Sequence, residues 1–383
     1  MKLLHISDLH IGKRVNAFSM LEDQKYILQQ ILAIANEQQV DGVMIAGDIY
    51  DKSVPSAEAV QVFDWFLTEL ADQKKQVYAV SGNHDSAERI AFGAQLMRDR
   101  GVFVSPVYHG DTIKFTMKDF YGELCIYLLP FIKPAVVRHV LEGVPDMKDK
   151  PMPESYHDAV KLVVERMDVD SQKRNILIAH QFVTGAGRCD SEVSVGGVDN
   201  VDADVFDAFD YVALGHIHSP QSMKRETVRY CGTPLKYSFS EAEQEKSVTV
   251  VELKEKGNIT LSTVPLVPLH DMRKIRGTYL EVTAKSFYQN TDAEDYVQIT
   301  LTDEEDIPDG LQKLRIIYPN LMRLEYDNSR MRQNRVIEQS EEMEQKSELE
   351  LFAEFYELQN NQKMSAEQTT FVARLIEECI QTI

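Results

Sequence analysis

Residues 1–13 read MKLLHISDLHIGK, and the segment Ser7-Asp8-Leu9-His10 within them decides the fold. The mainly apolar run at residues 3–6 is typical of a short buried strand that ends where the polar residues begin. Side chains two residues apart project from the same side of an extended chain, so Asp8 and His10 can contact the same ligand. The pair alone predicts little, because a strand-end Asp is often a turn or cap residue and a lone His is often only hydrogen-bonded.

The same alternation of strand and helix patterns continues along the chain. Short apolar runs at residues 43–46, 77–80, 176–179 and 211–214 predict four more buried strands. Apolar residues at helical spacing predict helices at about 21–34, 60–70 and 156–167. This βαβ rhythm indicates an α/β fold.

Polar side chains follow each of the five predicted strands. They are Asp8 and His10; Asp48 and Asp51; Asn83, His84 and Asp85; His180; and His216 and His218. Because ligands of open α/β sheets bind beyond the carboxyl ends of the strands, these five clusters are expected to converge. Gly47, Gly82 and Gly215 precede three of the clusters, where the lack of a Cβ is expected to allow a tight turn.

The donors in these clusters are carboxylates, a carboxamide and imidazoles, without a thiolate. This set suits two borderline divalent ions such as Mn or Fe better than Mg or Ca. Two ions about 3.5–4 Å apart can activate a water and stabilise both the attacking and the leaving oxygen of a phosphoryl displacement. Asp48 is the predicted bridging carboxylate.

Simpler structural roles compete with metal binding at each position. Asp48 and Asp85 would serve equally as turn or N-cap residues, and His180 as a hydrogen-bonded core histidine. Five clusters at five strand ends favour the metal site over these readings taken together. For Asp51, a cap before the helix that begins near Ser56 and a role behind the metal ligands stay equally open.

Composition limits the classes of protein to which the chain can belong. Its 383 residues are 43% hydrophobic and 27% charged, enough for two or three domains with their own cores. The four cysteines, Cys125, Cys189, Cys231 and Cys379, form no CxxC pair and are expected to be reduced thiols. Neither a signal peptide nor an apolar run of about 18 residues is present, so a cytoplasmic protein without membrane contact is expected.

The net charge of −20 argues against broad electrostatic attraction to nucleic acid. That objection is weakened because residues 335–383 contain 11 Glu against 4 Lys or Arg, and so account for part of the excess acid.

The order of the motifs D-x-H, G-D-x-x-D, G-N-H-D, H and G-H-x-H over residues 1–220 resembles that of the calcineurin-like metallophosphoesterases. More narrowly, SDLHIGK, GDIYDKSVPS, SGNHDS, GHIH and CGTPLKYSFSEA resemble the SbcD family, the nuclease subunits of bacterial SbcCD complexes. The resemblance implies an α/β sandwich of two mixed β-sheets flanked by helices, with a small α+β cap domain and a C-terminal helical segment.

The resemblance also implies a role for each site residue. Asp8, His10, Asp48 and His218 would hold one divalent ion, and Asp48, Asn83, His180 and His216 the other, with Mn²⁺ expected in both positions. His84 would stabilise the scissile phosphate or protonate the leaving oxygen. Asp51 and Asp85 would fix imidazole tautomers behind the ligands.

Six cations lie near the ligand clusters in sequence: Lys13, Arg14, Lys52, Arg89, Arg188 and Lys236. Each alone is typical of a solvated surface, but one or two are expected to contact the DNA backbone.

The predicted domains are a nuclease domain at residues 1–269, a cap at 270–334 and a helical segment at 335–383. In the cap, alternating patterns predict strands at 277–282, 296–301 and 321–326 and a helix at 311–317. The last segment predicts two acidic amphipathic helices joined near Asn360 and Asn361, the second after the capping-box pattern Ser365-x-x-Gln368. The resemblance implies that this segment docks on the coiled-coil base of an SbcC-type ATPase; packing on its own protein is the alternative.

Taken together, these features and the resemblance predict a metal-dependent DNA nuclease subunit. The resemblance implies double-strand exonuclease and single-strand or hairpin endonuclease activity, and action in DNA repair, recombination and replication, near the nucleoid, as a homodimer within a heterotetramer. A phosphatase or small-nucleotide phosphodiesterase is the first alternative, but SDLHIG and GDIYDK depart from the GDxHG and GDxVDRG motifs of phosphoprotein phosphatases. A catalytically silent scaffold is the second, and the intact ligand set with His84 argues against it.

Overall fold

The computed structural model describes residues 1–142, 144–147, 151–190, 192 and 200–328, and in the last segment 349, 352–353, 356, 364–365, 368–373 and 375. The strands of this described part are β1 (Lys2–Ile6), β2 (Arg14–Val15), β3 (Phe18–Ser19), β4 (Gly42–Ala46), β5 (Gln76–Val80), β6 (Val102–Val104), β7 (Ile113–Asp119), β8 (Gly122–Leu129), β9 (Arg174–His180), β10 (Phe182–Val183), β11 (Asn200–Val201), β12 (Tyr211–Gly215), β13 (Gln221–Met223), β14 (Arg225–Tyr230), β15 (Ser247–Leu253), β16 (Ile259–Pro265), β17 (Met272–Gly277), β18 (Tyr296–Leu301) and β19 (Leu321–Tyr326). Its helices are α1 (Leu21–Glu37), α2 (Ala57–Asp72), α3 (Ala87–Ile90), α4 (Ala94–Met97), α5 (Pro134–Leu141), α6 (Tyr156–Glu165), α7 (Tyr279–Thr283), α8 (Lys285–Tyr288) and α9 (Gly310–Arg315), with short 3₁₀ turns at Arg98–Arg100, Pro145–Met147, Ala203–Phe206 and Phe239–Glu241.

Two six-stranded sheets form the framework. The first sheet has the order β16-β15-β1-β4-β5-β6, and the second has the order β13-β14-β12-β9-β8-β7. The strands from β1 to β6 of the first sheet are parallel, and β15 and β16 add an antiparallel edge. The second sheet is parallel from β14 to β8, with antiparallel β13 and β7 at its edges. The predicted sandwich of two mixed sheets is confirmed.

A shared core lies between the two sheets. Met44 and Tyr78 of the first sheet pack in one buried cluster with Ile178 and Tyr211 of the second. A second core lies between α1, α2 and the outer face of the first sheet, and a third between α5, α6 and the outer face of the second. Every residue of β4, β9 and β12 is therefore buried, as expected for parallel strands covered on both faces.

Most predicted elements agree with the structure within a few residues. The five ligand-bearing strands are β1, β4, β5, β9 and β12, and the predicted helices are α1, α2 and α6. Strands β18 and β19 fall at the predicted 296–301 and 321–326, and α9 falls within the predicted helix at 311–317 apart from its first residue.

The strand predicted at residues 277–282 is wrong. Strand β17 ends at Gly277, and α7 begins at Tyr279. The Glu281 carboxylate accepts hydrogen bonds from the Thr278 N–H (2.7 Å), and the Glu281 N–H donates to the Thr278 hydroxyl (3.3 Å). This reciprocal Thr-x-x-Glu capping box starts a helix, and it outweighs the alternating pattern of the segment.

Beyond residue 275 the chain alternates between two compact units. The first contains Met1–Ile275, Thr283–Ile299 and Leu311–Leu324, and the second contains Arg276–Val282, Thr300–Gly310 and the described residues from Glu325 onward. The predicted domain boundaries after residues 269 and 334 stay predictions. Within the second unit, the Tyr279 N–H donates to the Asp303 carboxylate (2.7 Å), and Arg276 pairs with Asp327 (2.5 Å).

In the last segment, the described residues 349, 352–353, 356, 368–373 and 375 are helical. The predicted capping box is confirmed, because the Ser365 N–H donates to Gln368 Oε1 (2.8 Å) and the Gln368 N–H to Ser365 Oγ (3.2 Å). Phe355, Leu358, Asn360, Asn361, Ile376, Cys379 and Ile380 lie outside the described residues, as does the remainder of the two-helix prediction. None of the helices in the described part is long and apolar enough to cross a membrane.

Candidate metal centre

The seven predicted metal ligands meet at the carboxyl ends of parallel strands from both sheets. Asp8 and His10 follow β1, Asp48 follows β4, Asn83 follows β5, His180 ends β9, and His216 and His218 follow β12. Asn83 is half-buried and the other six are buried. The structure therefore brings together side chains that are more than 200 residues apart in sequence.

The main chain of the first sheet determines where Asp8, His10 and Asp48 point. The N–H groups of Asp8 and His10 donate to the carbonyls of Gly47 and Asp48, at 3.0 and 2.9 Å, so the parallel pairing continues past the ends of β1 and β4. All three residues have left-handed backbone, with φ of +52°, +44° and +48°. Such a conformation costs a non-glycine residue about 1–3 kcal/mol, and several of them together are typical of a functional site.

The glycines of the site are needed mainly for space. Only Gly47 has a left-handed φ, of +87°. A Cβ at Gly82 would overlap the Asp48 carboxylate, and a Cβ at Gly215 would overlap the Ala46 carbonyl. Of the three glycines, Gly47 is therefore the one with the left-handed turn. The missing Cβ at Gly82 lets the loop after β5 approach Asp48, and the missing Cβ at Gly215 lets the end of β12 approach the end of β4.

One cluster of donors forms around His10 and His218. Their Nε2 atoms are 3.2 Å apart. One carboxylate oxygen of Asp8 and one ring nitrogen each of His10 and His218 all lie within 4.8 Å of one another. Asp48 Oδ2 is 3.8 Å from His10 Nε2.

A second cluster forms around Asn83. Its Oδ1 is 2.9 Å from both His180 Nε2 and His216 Nδ1. Asp48 Oδ2 is 3.4 Å from His180 Nε2, so this carboxylate reaches donors of both clusters. That position between the clusters is the one expected of a bridging ligand.

The donor set fits divalent cations. The Ala46 carbonyl, 2.8 Å away, can only accept, so His180 Nδ1 bears the proton. In neutral His180 the Nε2 lone pair would then face the Asn83 oxygen, an arrangement that a cation between these atoms satisfies. Without an ion a proton takes this place: burial lowers the pKa of His180, but the charge and hydrogen bond of Asp48 outweigh burial and raise it to about 9.

His84 is more exposed than the four histidines among the metal-ligand candidates. Its side chain is 23% exposed, against 1% or less for His10 and His180. His84 Nδ1 is 3.0 Å from the Asp51 carbonyl, to which it donates its proton, and Nε2 lies 4.0 Å from Asp48 Oδ2. Nε2 is therefore the ring nitrogen that can reach a substrate.

Asp51 lies behind the predicted ligands, where its carboxylate and its carbonyl each face an imidazole. The Asp51 carboxylate pairs with Lys13 (2.8 Å) and lies 3.8 Å from His10 Nδ1, while its carbonyl fixes the His84 ring. Ser56 caps α2, so of the two roles left open for Asp51 the helix cap is excluded.

The Asp85 carboxylate binds main chain rather than an imidazole. It accepts from the N–H groups of Ile49 (3.1 Å), Tyr50 (2.9 Å) and Gly82 (2.9 Å), and so joins the loops after β4 and β5. The Asp85 carboxylate therefore contacts these three N–H groups in place of the predicted imidazole. The cap of α3 is the next residue, Ser86.

Three supporting residues were missed by sequence reasoning. Gln24 donates to the His10 carbonyl (2.7 Å) and accepts from the Gly12 N–H (2.9 Å). The Tyr237 hydroxyl donates to the Leu9 carbonyl (2.5 Å). Glu241 lies 3.6 Å from His218 Nδ1. Tyr237 and Glu241 belong to the stretch CGTPLKYSFSEA, which was the available signal.

The six predicted DNA-contacting cations fall into two groups. Lys13 pairs with Asp51, and Lys236 pairs with Asp271 (2.8 Å), with both lysine side chains less than 15% exposed. Four are exposed: Arg14, Lys52, Arg89 and Arg188. The Arg188 guanidinium lies 3.6 Å above the Phe182 ring, which in turn contacts His216.

Comparison with known proteins gives consistent results for both parts of the chain. Residues 1–220 match the family model described as calcineurin-like phosphoesterase, and residues 268–360 match the one described as type 5 capsule protein repressor C-terminal domain, SbcD_C. The chain is 32% identical to the SbcD subunit of the nuclease SbcCD from Staphylococcus epidermidis over 388 residues, which cover 98% of each protein.

Two solved structures are among the similar ones. A dimetal phosphatase from Danio rerio is 12% identical, with a TM-score of 0.41, over 70% of this chain and 98% of that one. TT1561 of Thermus thermophilus is 11% identical, with a TM-score of 0.37, over 68% of this chain and 98% of that one.

Proposed function

Because this chain belongs to the calcineurin-like phosphoesterases, and within them to the SbcD family of nuclease subunits, we propose that it is a metal-dependent DNA nuclease subunit that hydrolyses phosphodiester bonds. The observation that carries this proposal is the convergence of seven oxygen and nitrogen donors beside His84, whose side chain is partly exposed. Its activities are double-strand exonuclease and single-strand or hairpin endonuclease.

In this proposal Asp8, His10, Asp48 and His218 hold one ion, and Asp48, Asn83, His180 and His216 hold the other. The distances from Asp48 Oδ2 to His10 Nε2 (3.8 Å) and His180 Nε2 (3.4 Å) support its bridging position. Mn²⁺ is the proposed metal because four imidazoles and three oxygen donors suit a borderline ion. When bound, such a pair supplies Lewis acidity to the attacking water and the phosphate oxygens.

His84 is the proposed catalytic residue. Because its Nδ1 proton is donated to the Asp51 carbonyl, the ring presents Nε2 toward the space beside Asp48. Protonated at Nε2, the ring can donate to a non-bridging phosphate oxygen or transfer a proton to the leaving oxygen as the P–O bond breaks. The His84 N–H donates to the Asp48 carboxylate (2.9 Å), and this hydrogen bond fixes the main chain from which the His84 ring projects.

The remaining roles concern partners. We propose DNA contact by exposed Arg14, Lys52, Arg89 and Arg188, with Lys13 and Lys236 acting mainly through their ion pairs. Residues 270–334 form the cap that orients DNA. Residues 335–383 dock on an SbcC-type coiled-coil ATPase, supported by the exposure of Phe352, Phe371 and Leu375. A homodimer within a heterotetramer, in the cytoplasm near the nucleoid, acting in repair, recombination and replication, completes the proposal.

The test compares Mn²⁺-dependent hydrolysis of end-labelled duplex DNA, a DNA hairpin, a small phosphodiester and a phosphomonoester. The variants are His84→Ala and, as a matched control, His157→Ala, whose half-exposed ring pairs with Asp202 on the surface. We expect DNA cleavage that falls about 10²–10⁴-fold in His84→Ala and is unchanged in His157→Ala. Activity confined to the monoester would indicate a phosphatase. Inactivity on every substrate, with the ATPase partner added, would indicate a scaffold.

A further inference from the structure

A buried ion pair lies directly behind His218. Glu241, in the turn Phe239–Glu241, and Lys246 have side chains that are 0% and 4% exposed, and Glu241 Oε2 is 2.6 Å from Lys246 Nζ. The other carboxylate oxygen, Oε1, is 3.6 Å from His218 Nδ1. One carboxylate therefore contacts both a buried cation and the imidazole.

The same pair also holds the main chain of His218. Lys246 Nζ donates to the His218 carbonyl (3.0 Å) and to Gln244 Oε1 (2.8 Å). The ring and the carbonyl of one residue are thus bound by opposite members of a single ion pair. Among the described histidines of the site, His180 and His84 are instead oriented by main-chain carbonyls.

Stability alone does not account for this arrangement. Removing two charges from water costs several kcal/mol each, and replacing a buried pair by apolar or neutral residues is often neutral or stabilising. A carboxylate beside Nδ1, however, favours the tautomer with its proton on Nδ1, which leaves the Nε2 lone pair available. Nε2 is the atom that lies 3.2 Å from His10 Nε2 in the first donor cluster.

We propose that Glu241, held by Lys246, is a positioning residue that fixes the ring orientation and tautomer of His218, and thereby sets the affinity of the first cluster for its ion. This inference rests on the proposed metal centre. It predicts that the effect is confined to one of the two ions, because the distances to Glu241 involve His218 and none of the donors around Asn83.

The experiment separates positioning from folding with three variants of the full-length protein: Glu241→Gln, Lys246→Met and the double variant. Each is stripped of metal and titrated with Mn²⁺ by calorimetry, and its Tm is measured without metal. Each single variant should lower Tm, because Glu241→Gln leaves the Lys246 ammonium buried without its carboxylate and Lys246→Met leaves the Glu241 carboxylate buried without its cation. The double variant should recover Tm but bind one of two ions about 10–100-fold more weakly.

Two further measurements keep the result decisive if a variant folds poorly. Glu241→Asp retains the charge for Lys246 but withdraws the carboxylate from the ring, so it should fold and still weaken one ion. Nitrogen-15 NMR of the metal-free protein should show His218 mainly as the Nδ1–H tautomer in the original chain and a mixture in the double variant. Asp119→Asn, in a distant pair with Arg174, is the control that should lower Tm without changing Mn²⁺ affinity.

Wild-type affinity for both ions in the double variant and in Glu241→Asp would overturn this inference, while two bound ions and DNA cleavage in the original chain would leave the proposed function standing. Absence of Mn²⁺ binding in the original chain would overturn both.

Discussion

The two sheets contribute different chemistry to one site. The loops of the first sheet supply two carboxylates, a carboxamide and the imidazoles of His10 and His84, whereas those of the second supply only the imidazoles of His180, His216 and His218. The first set is placed by its own main chain, through paired loops and left-handed residues. The second set depends on partners outside its own strands: Ala46 and Asn83 of the first sheet and the Glu241–Lys246 pair.

The side chains that the second sheet contributes to the site are therefore oriented largely by residues of the first sheet. The His216 N–H donates to both oxygens of the Asp8 carboxylate, at 3.1 Å each, and its ring contacts Asn83. A change in the first sheet should therefore disturb the ligands of both sheets, and a change in the second should act more locally.

The largest effect is expected from Asp48→Asn. Loss of the carboxylate that reaches both clusters should lower Mn²⁺-dependent DNA hydrolysis at least about a thousandfold, since a bound ion contributes several kcal/mol to transition-state stabilisation. It should also lower the pKa of His180, because the Asp48 charge is what raises it. Initial rates and NMR titration of the metal-free protein measure the two effects. Asp64→Asn, an exposed carboxylate on α2, is the control; an unchanged His180 titration would contradict the dependence of the second sheet on the first.

Gly215→Ala tests the line where the two sheets touch. The new Cβ would overlap the Ala46 carbonyl and crowd His180 Nδ1 (2.8 Å), so the free energy of unfolding should fall by about 3 kcal/mol. Urea unfolding measures it. Gly187→Ala is matched, because its Cβ would meet nothing closer than 3.8 Å and its φ is not left-handed. Equal stability of the two variants would show that the sheets are not in tight contact at this point.

The pH dependence of metal binding should show the same coupling. The charge and hydrogen bond of Asp48 raise the pKa of His180 to about 9, so below this pH an ion must displace its proton, and this proton alone should make the affinity for Mn²⁺ rise about tenfold per pH unit. The slope should be steeper below about pH 7, because burial raises the pKa of Asp8 to about 7 and adds a second displaced proton. Titration calorimetry in buffers of different ionisation enthalpy counts the protons released; a pH-independent affinity would mean that His180 is neutral before the ion binds.

The smallest effect is expected from Tyr237→Phe, which removes the hydroxyl that donates to the Leu9 carbonyl and accepts from Gln24 Nε2 (3.0 Å), while Gln24 Nε2 keeps the His10 carbonyl as its acceptor. Loss of the bond to the Leu9 carbonyl should lower the free energy of unfolding by about 1 kcal/mol. Tyr121→Phe, at a partly exposed hairpin position, should leave stability unchanged in the same urea experiment. Equal losses in both variants would show that the Leu9 contact is not what Tyr237 contributes.

The sequence was sufficient where the signal is local. Apolar runs followed by Asp8, Asp48, Asn83, His180 and His216 are short patterns, and parallel strand topology makes such ends converge. The chain therefore predicted which side chains meet. The capping box at Thr278 and Glu281 is also a local signal, but the alternating pattern of the same residues predicts a strand.

The supporting contacts could not be predicted in the same way. Asp85 looks like a partner for an imidazole, yet three main-chain N–H groups from two loops reach it first. Lys13 and Lys236 look like phosphate ligands, yet each has a carboxylate within 2.8 Å. Which partner each of these side chains binds depends on distances between segments that are remote in sequence. Composition and motif spacing do not encode those distances.

The place of β1 in the first sheet has a consequence for protein synthesis. β1 pairs with β4 on one side and with β15 on the other, and Leu3 lies opposite Val251. At the roughly 5–20 residues per second of translation, the second partner of β1 leaves the ribosome roughly 12–50 s after the first residues. Throughout that interval one edge of an apolar strand is unpaired, the state in which strands add to other chains. We therefore expect this edge of β1 to stay open to other chains until β15 emerges, and Asp8 and His10, which directly follow β1, to be fixed in place only then.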